Sequence, residues 1–206
     1  MAVAKQNSLS VSHRRKSGRR KHEKKDARTL RTGRRINEAF VELLLRRPYG
    51  DIRVSDITRK AGVGRATFYA HHATKDDLLR SQFERGIAPM LMASPDDPSL
   101  IDATRFFDHI WSATHIYKRL MGPSGGTGPR VLRDCFEARI RKVLSLDPGL
   151  KPGLKQATIA RFVASALITI TECWIDHGGR ETPQQVQALF ANLVSPGLRE
   201  CRKSST

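Results

Sequence analysis

The sequence predicts an all-α protein in two parts, a three-helix unit near the N-terminus and a longer helical unit behind it. Three observations carry this. Apolar residues recur at helical spacing in successive stretches from Ile36 to Val194. Pro- and Gly-containing breaks separate those stretches at Pro48-Tyr49-Gly50-Asp51, Met121-Gly122-Pro123, Asp147-Pro148-Gly149 and Gly178-Gly179. Between Ile52 and Leu79 two short helical patterns meet at Gly62-Val63-Gly64, with Val54, Ile57, Ala61, Val63 and Phe68 where a helix-turn-helix needs its inner face.

Composition narrows the class. The 206 residues carry 37 Lys+Arg against 20 Asp+Glu, a formal net charge of +17, which favours a polyanionic partner. Cys135, Cys173 and Cys201 are too few and too scattered for a disulfide scaffold or a CxxC zinc site, which points to a reducing compartment. No apolar run approaches the roughly 20 residues of a membrane span, and the basic N-terminus lacks a secretory signal's apolar core. A soluble, cytoplasmic protein without a membrane partner is expected.

Taken in order, residues 1–27 form a polar tail. Lys5, Arg14, Arg15, Lys16, Arg19, Arg20, Lys21, Lys24 and Lys25 face only Glu23 and Asp26 there, so disorder is expected. Two readings stand for it: an arm along DNA phosphates or in a minor groove, or a floppy leader. Residues 28–85 make the first structured unit. Ile36, Ala39, Phe40, Leu43 and Leu44 lie on one face of a supporting helix up to Arg47. Arg34 and Arg35 near its start are within reach of phosphate. A second helix begins near Val54 or Ser55, with Ser55 as N-cap and Asp56 in its first turn, and stops at Gly62. The third, Arg65 to His71, projects Arg65, Thr67, Tyr69 and His71 outward, a set suited to a DNA groove. A fourth starts at a Thr74 cap, with Asp76 and Asp77 in its first turn, and runs through Leu78, Leu79 and Phe83 to Pro89.

At Ala61-Gly62-Val63, Thr67-Phe68-Tyr69, His72 and Lys75-Asp76-Asp77-Leu78-Leu79 the chain resembles the DNA-binding domain of the TetR (tetracycline repressor) family, over roughly residues 28 to 85. One departure is His71-His72, where the family commonly has His or Tyr followed by Phe; a His72 in that buried place makes the packing under the third helix more polar. The resemblance implies that Arg65, Thr67, Tyr69 and His71 line the groove-facing side while Ser55 and Lys75 hold phosphates. With Arg53 and Ala66 these are the expected DNA contacts. Chemistry agrees: Arg suits the O6 and N7 of guanine, and Thr67 and Tyr69 can donate hydroxyls to phosphate or touch a thymine methyl. One helix-turn-helix makes too few contacts for useful specificity, so two copies on a pseudo-palindrome are expected.

Residues 86–200 form the second unit, with 201–206 a flexible end. Residues 94 to 99 read as a loop. Ala103, Phe106, Phe107, Ile110 and Thr114 make one helical stripe ending near Met121. Ser124 to Gly128 is Gly-rich but lacks the Lys-Ser/Thr of a phosphate loop, and reads as a connector. Pro129 opens a helix carrying Leu132, Cys135, Phe136, Arg139, Ile140 and Val143, closed by the connector 147–153. A helix over about Lys155–His177 carries Ile159, Phe162, Val163, Ala166, Leu167, Ile170 and Trp174. Thr182-Pro183-Gln184-Gln185 then combines N-cap, first-turn Pro and capping-box Gln ahead of Val186, Leu189, Phe190, Leu193 and Val194.

The resemblance implies effector binding and homodimerisation for this unit, with Phe162 to Trp174 and Val186 to Val194 as the interface. The alternative is that these stripes only fill the monomer's core. A Trp followed by a Gly-rich turn also resembles family members near dihydroxyacetone-kinase regulators. Aromatic and polar side chains at Trp111, His115, Tyr117, Met121, Phe136, Thr169, Glu172 and Trp174 are the candidate effector pocket. No cofactor, metal site or catalytic residue is expected. Cys173 and His177 stand one helical turn apart, but no second ligand pair lies nearby in sequence. The favoured reading is a bacterial, nucleoid-associated regulator, a repressor of a palindromic operator. The alternative is a non-specific nucleic-acid-binding protein driven by the basic arm.

Overall fold

The computed structural model describes residues 27–93, 101–121, 127–146 and 153–203. Helix α1 covers residues 27–44, and its stripe of Ile36, Ala39, Phe40, Leu43 and Leu44 is buried as the spacing predicts. Pro48 opens a single 3-10 turn, Tyr49–Asp51. Helices α2 (Val54–Ala61), α3 (Arg65–His71) and α4 (Lys75–Gln82) follow. Ile57, Ala61, Phe68, Leu78 and Leu79 close the core of this unit against α1.

The turn between α2 and α3 follows from Gly62. It adopts φ 60°, ψ 42°, its N–H donates to the Arg59 carbonyl at 3.2 Å, and the Val63 N–H reaches the Thr58 carbonyl at 3.0 Å. This pair of bonds is the Schellman arrangement, which satisfies the last carbonyls of α2 and turns the chain sharply. A side chain at Gly62 would also press on the Arg35 guanidinium, 2.7 Å from an added Cβ.

Beyond Gln82 the α4 ladder widens into a π turn over Phe83–Ile87 and tightens into a 3-10 turn over Ala88–Met90. The predicted fourth helix is therefore one run in three registers. Two-residue strands β1 (Met92–Ala93) and β2 (Ile101–Asp102) pair antiparallel around the predicted 94–99 loop, which lies outside the described residues. Helices α5 (Thr104–Ser112), α6 (Thr114–Met121), α7 (Thr127–Leu144), α8 (Leu154–Asp176) and α9 (Pro183–Lys203) build the second unit. The aromatic seam joining the units runs from Phe83 to Phe136, centroids 4.8 Å apart, and on from Phe136 to Phe106 at 5.1 Å.

Several sequence expectations are corrected here. The single stripe from Ala103 to Met121 is two helices, because the Thr114 hydroxyl donates to the carbonyls of Ile110 and Trp111 at the break. Ser55 is not the N-cap of α2: Arg53 is, and its N–H donates to the Asp56 carboxylate at 2.9 Å. Gly128 belongs to α7 rather than to a connector. A Cβ on it would lie 2.1 Å from the Leu120 carbonyl oxygen, so only glycine lets α7 pass the end of α6.

Helix α9 runs through Pro196 to Lys203, past the expected flexible start at 201. Helix α8 is, by length and a mean hydropathy of 1.4, long and apolar enough to cross a membrane, which revises the reading that no run approaches that length. Its apolar side is core: Ala160, Val163, Ala164, Leu167 and Ile168 are fully buried. The caps at Thr74 and Thr182 form as predicted, with Asp77 N–H on Thr74 Oγ1 at 3.0 Å and a reciprocal Thr182–Gln185 box. The 1–26 tail and the 147–152 connector lie outside the described residues.

Candidate functional site

Helix α3 stands on Phe68, which is fully buried, and that anchor decides what its other side shows. Arg65, Ala66 and Thr67 are exposed, and Tyr69 is 54 % exposed with its ring edge-on to Phe68 at 5.6 Å. Arg65 makes no hydrogen bond or ion pair among the described residues. Arg53 is exposed at the start of α2, and Ser55 is half-buried.

His71 is less free. It is half-buried, and its Nδ1 would lie 3.5 Å from a Cβ added to Gly33, so its ring packs towards α1. His72 packs on Phe68 at 5.8 Å, and burial, then the neighbouring His71 and Arg85, hold its imidazole below the usual histidine range. It is the more polar support under α3 that His71-His72 foretold.

Lys75 sits inside the unit. Its ammonium donates to the Tyr49 carbonyl at 2.8 Å and the Ile52 carbonyl at 2.9 Å, and lies 4.1 Å over the Tyr49 ring. Burial lowers its pKa. The Tyr49 hydroxyl in turn donates to Asp76. In this geometry Lys75 ties the 3-10 turn to the head of α4.

A basic recess that sequence reasoning only grazed lies beside the α2–α3 turn. A cavity of about 530 Å³ is lined by Arg28, Arg31, Thr32, Arg35, Gly62, Val63, Gly64 and Thr67. Arg35 is oriented by a 3.3 Å bond to the Gly62 carbonyl, while Arg34 is exposed outside this lining. Three arginines lining one recess beside a glycine-containing turn can hold a phosphate through guanidinium N–H donors. The i, i+3, i+7 spacing of Arg28, Arg31 and Arg35 was the signal available for it.

The expected effector residues do not gather in one cavity. Trp111 is 47 % exposed and stacks on Trp174 at 5.6 Å, and Trp174 donates its indole N–H to the Glu181 carbonyl. His115 is exposed and Met121 is buried elsewhere in the core. Glu172 is half-buried on α8, its pKa raised by burial and pulled back by Arg133. Thr169 and Trp174 line a shallow groove between α8 and α9 with Cys173, His177 and Leu189. There the His177 ring contacts the Cys173 backbone carbonyl at 2.7 Å rather than its thiol.

Of them, Tyr117 and Phe136 reach the half-open cavity at the junction of the two units. That cavity, about 270 Å³, is walled by α1, α4 with its π turn, and α5 to α7. Its polar lining groups are Gln82, His109 and Tyr117, of which the sequence analysis singled out only Tyr117. Gln82 and His109 each interrupt an apolar stripe, at i+3 from Leu79 and from Phe106, and that interruption was the readable sign.

Comparison with known proteins agrees with this geometry. Residues 36–81 match the family model described as bacterial regulatory proteins, tetR family. The chain is 30 % identical over 190 residues to an uncharacterized HTH-type transcriptional regulator, YxbF, of Bacillus subtilis (strain 168), covering 86 % of this chain. It spans only 48 % of that relative's length. Among solved structures it is similar to a TetR transcriptional regulator from Streptococcus agalactiae 2603V, at TM-score 0.59 and 22 % identity over 84 % of this chain and 98 % of that one. It is also similar to the dihydroxyacetone kinase operon activator DhaS, at TM-score 0.51 and 21 % identity over 82 % and 96 %. These last two likenesses are of fold alone.

Proposed function

Because the chain belongs to the tetR family of bacterial regulatory proteins, we propose that it is a sequence-specific DNA-binding repressor. It acts in the cytoplasm on the nucleoid, as a homodimer on a palindromic operator, and a small-molecule effector modulates it. The observation that carries this is the exposed, unpaired α3 surface of Arg65, Ala66, Thr67 and Tyr69 beside the Arg28–Arg31–Arg35 recess. Arg65 reads base edges, Tyr69 and Thr67 take phosphate or a base edge, and Arg53 and the recess hold the flanking backbone. Ser55 and His71 touch the rim of that surface. Lys75 serves by fixing the head of α4, with any phosphate contact secondary to its two carbonyls.

The second copy is supported by apolar side chains that the monomer leaves in water. Phe162 is 60 % exposed on α8, and Leu189 and Leu193 are 51 % and 63 % exposed on α9. Together they flank the α8–α9 groove, a face suited to a four-helix bundle across a two-fold. The effector reading rests on the junction cavity, because α4 carries both its wall and the support of the reading helix.

Footprinting of DNA flanking the chain's own gene tests the regulator. A protected inverted repeat is expected, with Arg65→Ala weakening binding by about 1–3 kcal/mol while fold and oligomeric state stay unchanged. Leu193→Arg is expected to give a monomer with weak binding. No sequence-selective protection by the full chain, or loss of all binding and selectivity on removing residues 1–27 alone, favours the non-specific basic-arm reading instead.

A further inference from the structure

The first turn of α3 has few restraints of its own. Its N-cap, Gly64, has no side chain to cap it, and the buried anchor Phe68 comes after Arg65, Ala66 and Thr67 rather than before them. The direction in which those three residues leave the chain is therefore set by the turn Gly62-Val63-Gly64. Arg35 of α1 holds that turn. Its guanidinium donates to the Gly62 carbonyl at 3.3 Å. The same guanidinium fills the place where a side chain on Gly62 would stand, since an added Cβ would meet it at 2.7 Å. Gly62 is thus bare for two reasons, its φ of 60° and this seat for Arg35.

Arg35 also has donors to spare. A guanidinium carries five N–H groups in a flat fork, and Arg35 makes no ion pair or second hydrogen bond among the described residues. It lines the basic recess with Arg28, Arg31 and Thr67, and no Asp or Glu is among the lining residues. Cations gathered on one recess without a carboxylate repel one another, and an anion there relieves the repulsion. Thr67 belongs to α3, so an anion in the recess lies against α1 and the reading helix at once.

We propose that Arg35 is a positioning residue for base reading. Its guanidinium holds a DNA backbone phosphate and the Gly62 carbonyl together, so that engaging the backbone fixes the turn from which Arg65 and Thr67 are aimed. This rests on the DNA-binding reading given above, and adds to it a dependence of sequence selectivity on a side chain that touches no base. Lysine in this place keeps the charge for the phosphate but lacks the flat fork that serves a second acceptor beside it. Glutamine removes the charge.

The test uses the full-length chain, the operator found by footprinting and a scrambled duplex of equal length, with affinities read by fluorescence anisotropy over a salt series. Arg35→Lys is expected to lower the operator-to-scrambled affinity ratio about tenfold while the salt slope holds. Arg35→Gln should lower the ratio and also make the slope shallower by about 0.9 for each bound copy. Arg31→Lys, in the recess but not bonded to the turn, should weaken both duplexes alike. Unfolding midpoints should stay at the wild-type value, because the Arg35 contact is exposed. An unchanged ratio in Arg35→Lys reduces Arg35 to a backbone contact and overturns the proposal. So does an unchanged slope in Arg35→Gln, which means that no phosphate is held, or a lowered midpoint in Arg35→Lys, which makes the residue structural. A wild-type chain that binds both duplexes equally sinks the DNA-reading function itself, whereas the other three outcomes leave it standing.

Discussion

The reading helix and the junction cavity both leave hydrogen-bonding groups without partners, but they do so on opposite sides of the protein surface. At α3, Arg65 and Thr67 stand in water, where an unmatched donor stabilises or destabilises little, and the helix is held by the apolar side chain behind them. At the junction, Gln82 Nε2 is buried with no partner among the described residues, where the same lack is destabilising. The difference teaches what each site needs. The surface set waits for a large polyanion that supplies many acceptors at once. The buried group is out of reach of water, so its cost falls on stability.

The largest effect expected is on the anchor of the reading surface. Phe68→Ala removes the fully buried ring under α3 and should cost about 3–5 kcal/mol in denaturant unfolding, taking operator binding with it. If stability falls that far while DNA affinity survives, the exposed set is not positioned by this anchor, and the contrast between a held surface and a buried polar group fails.

Lys75→Met separates the tie from the phosphate contact. It leaves the Tyr49 and Ile52 carbonyls without their ammonium donor, and a loss of about 1–3 kcal/mol in stability is expected from unfolding midpoints. A phosphate role predicts instead an unchanged midpoint with a shallower dependence of DNA affinity on salt.

The smallest effect is on pH. His72 and His109 both have imidazole pKa values lowered in the fold, so the unfolded chain binds protons more readily as pH falls. Their contribution is therefore fully present above the unfolded histidine pKa of about 6.5 and is lost on acidification below it. His72 is only half-buried, so solvent screening leaves on the order of a few tenths of a kcal/mol. Comparing unfolding midpoints at pH 7 and pH 5, His72→Phe should reduce the acid sensitivity without removing it, because His109 remains. An unchanged acid slope would mean that His72 is solvated in the native state.

Much of the DNA-binding unit was legible because its determinants are local. The α1 stripe, the Gly62 stop, the Thr74 cap and the burial of Phe68 are each decided within a few residues of chain. Ser55 was placed as the cap two residues too late, since Asp56 reaching back to the Arg53 N–H outcompeted it. The two carbonyls that Lys75 serves were not legible for another reason: they lie more than twenty positions away. The expected effector residues are spread over several places on the same ground, since aromatic and polar composition marks a candidate wall without saying which walls face one another.

By itself the sequence determined the all-α class, the helix-turn-helix with its exposed reading side, the supporting stripe and the caps. Helical periodicity and left-handed glycine are properties of neighbouring residues. Only the tertiary structure decided that Gln82, His109, Tyr117 and Phe136 line one cavity, that Arg28, Arg31 and Arg35 line a recess with the α2–α3 turn, and that Gly128 has to let α7 pass α6. Those are meetings between distant helices, fixed by how ridges and rings pack across the core, and no local rule on the chain carries that information.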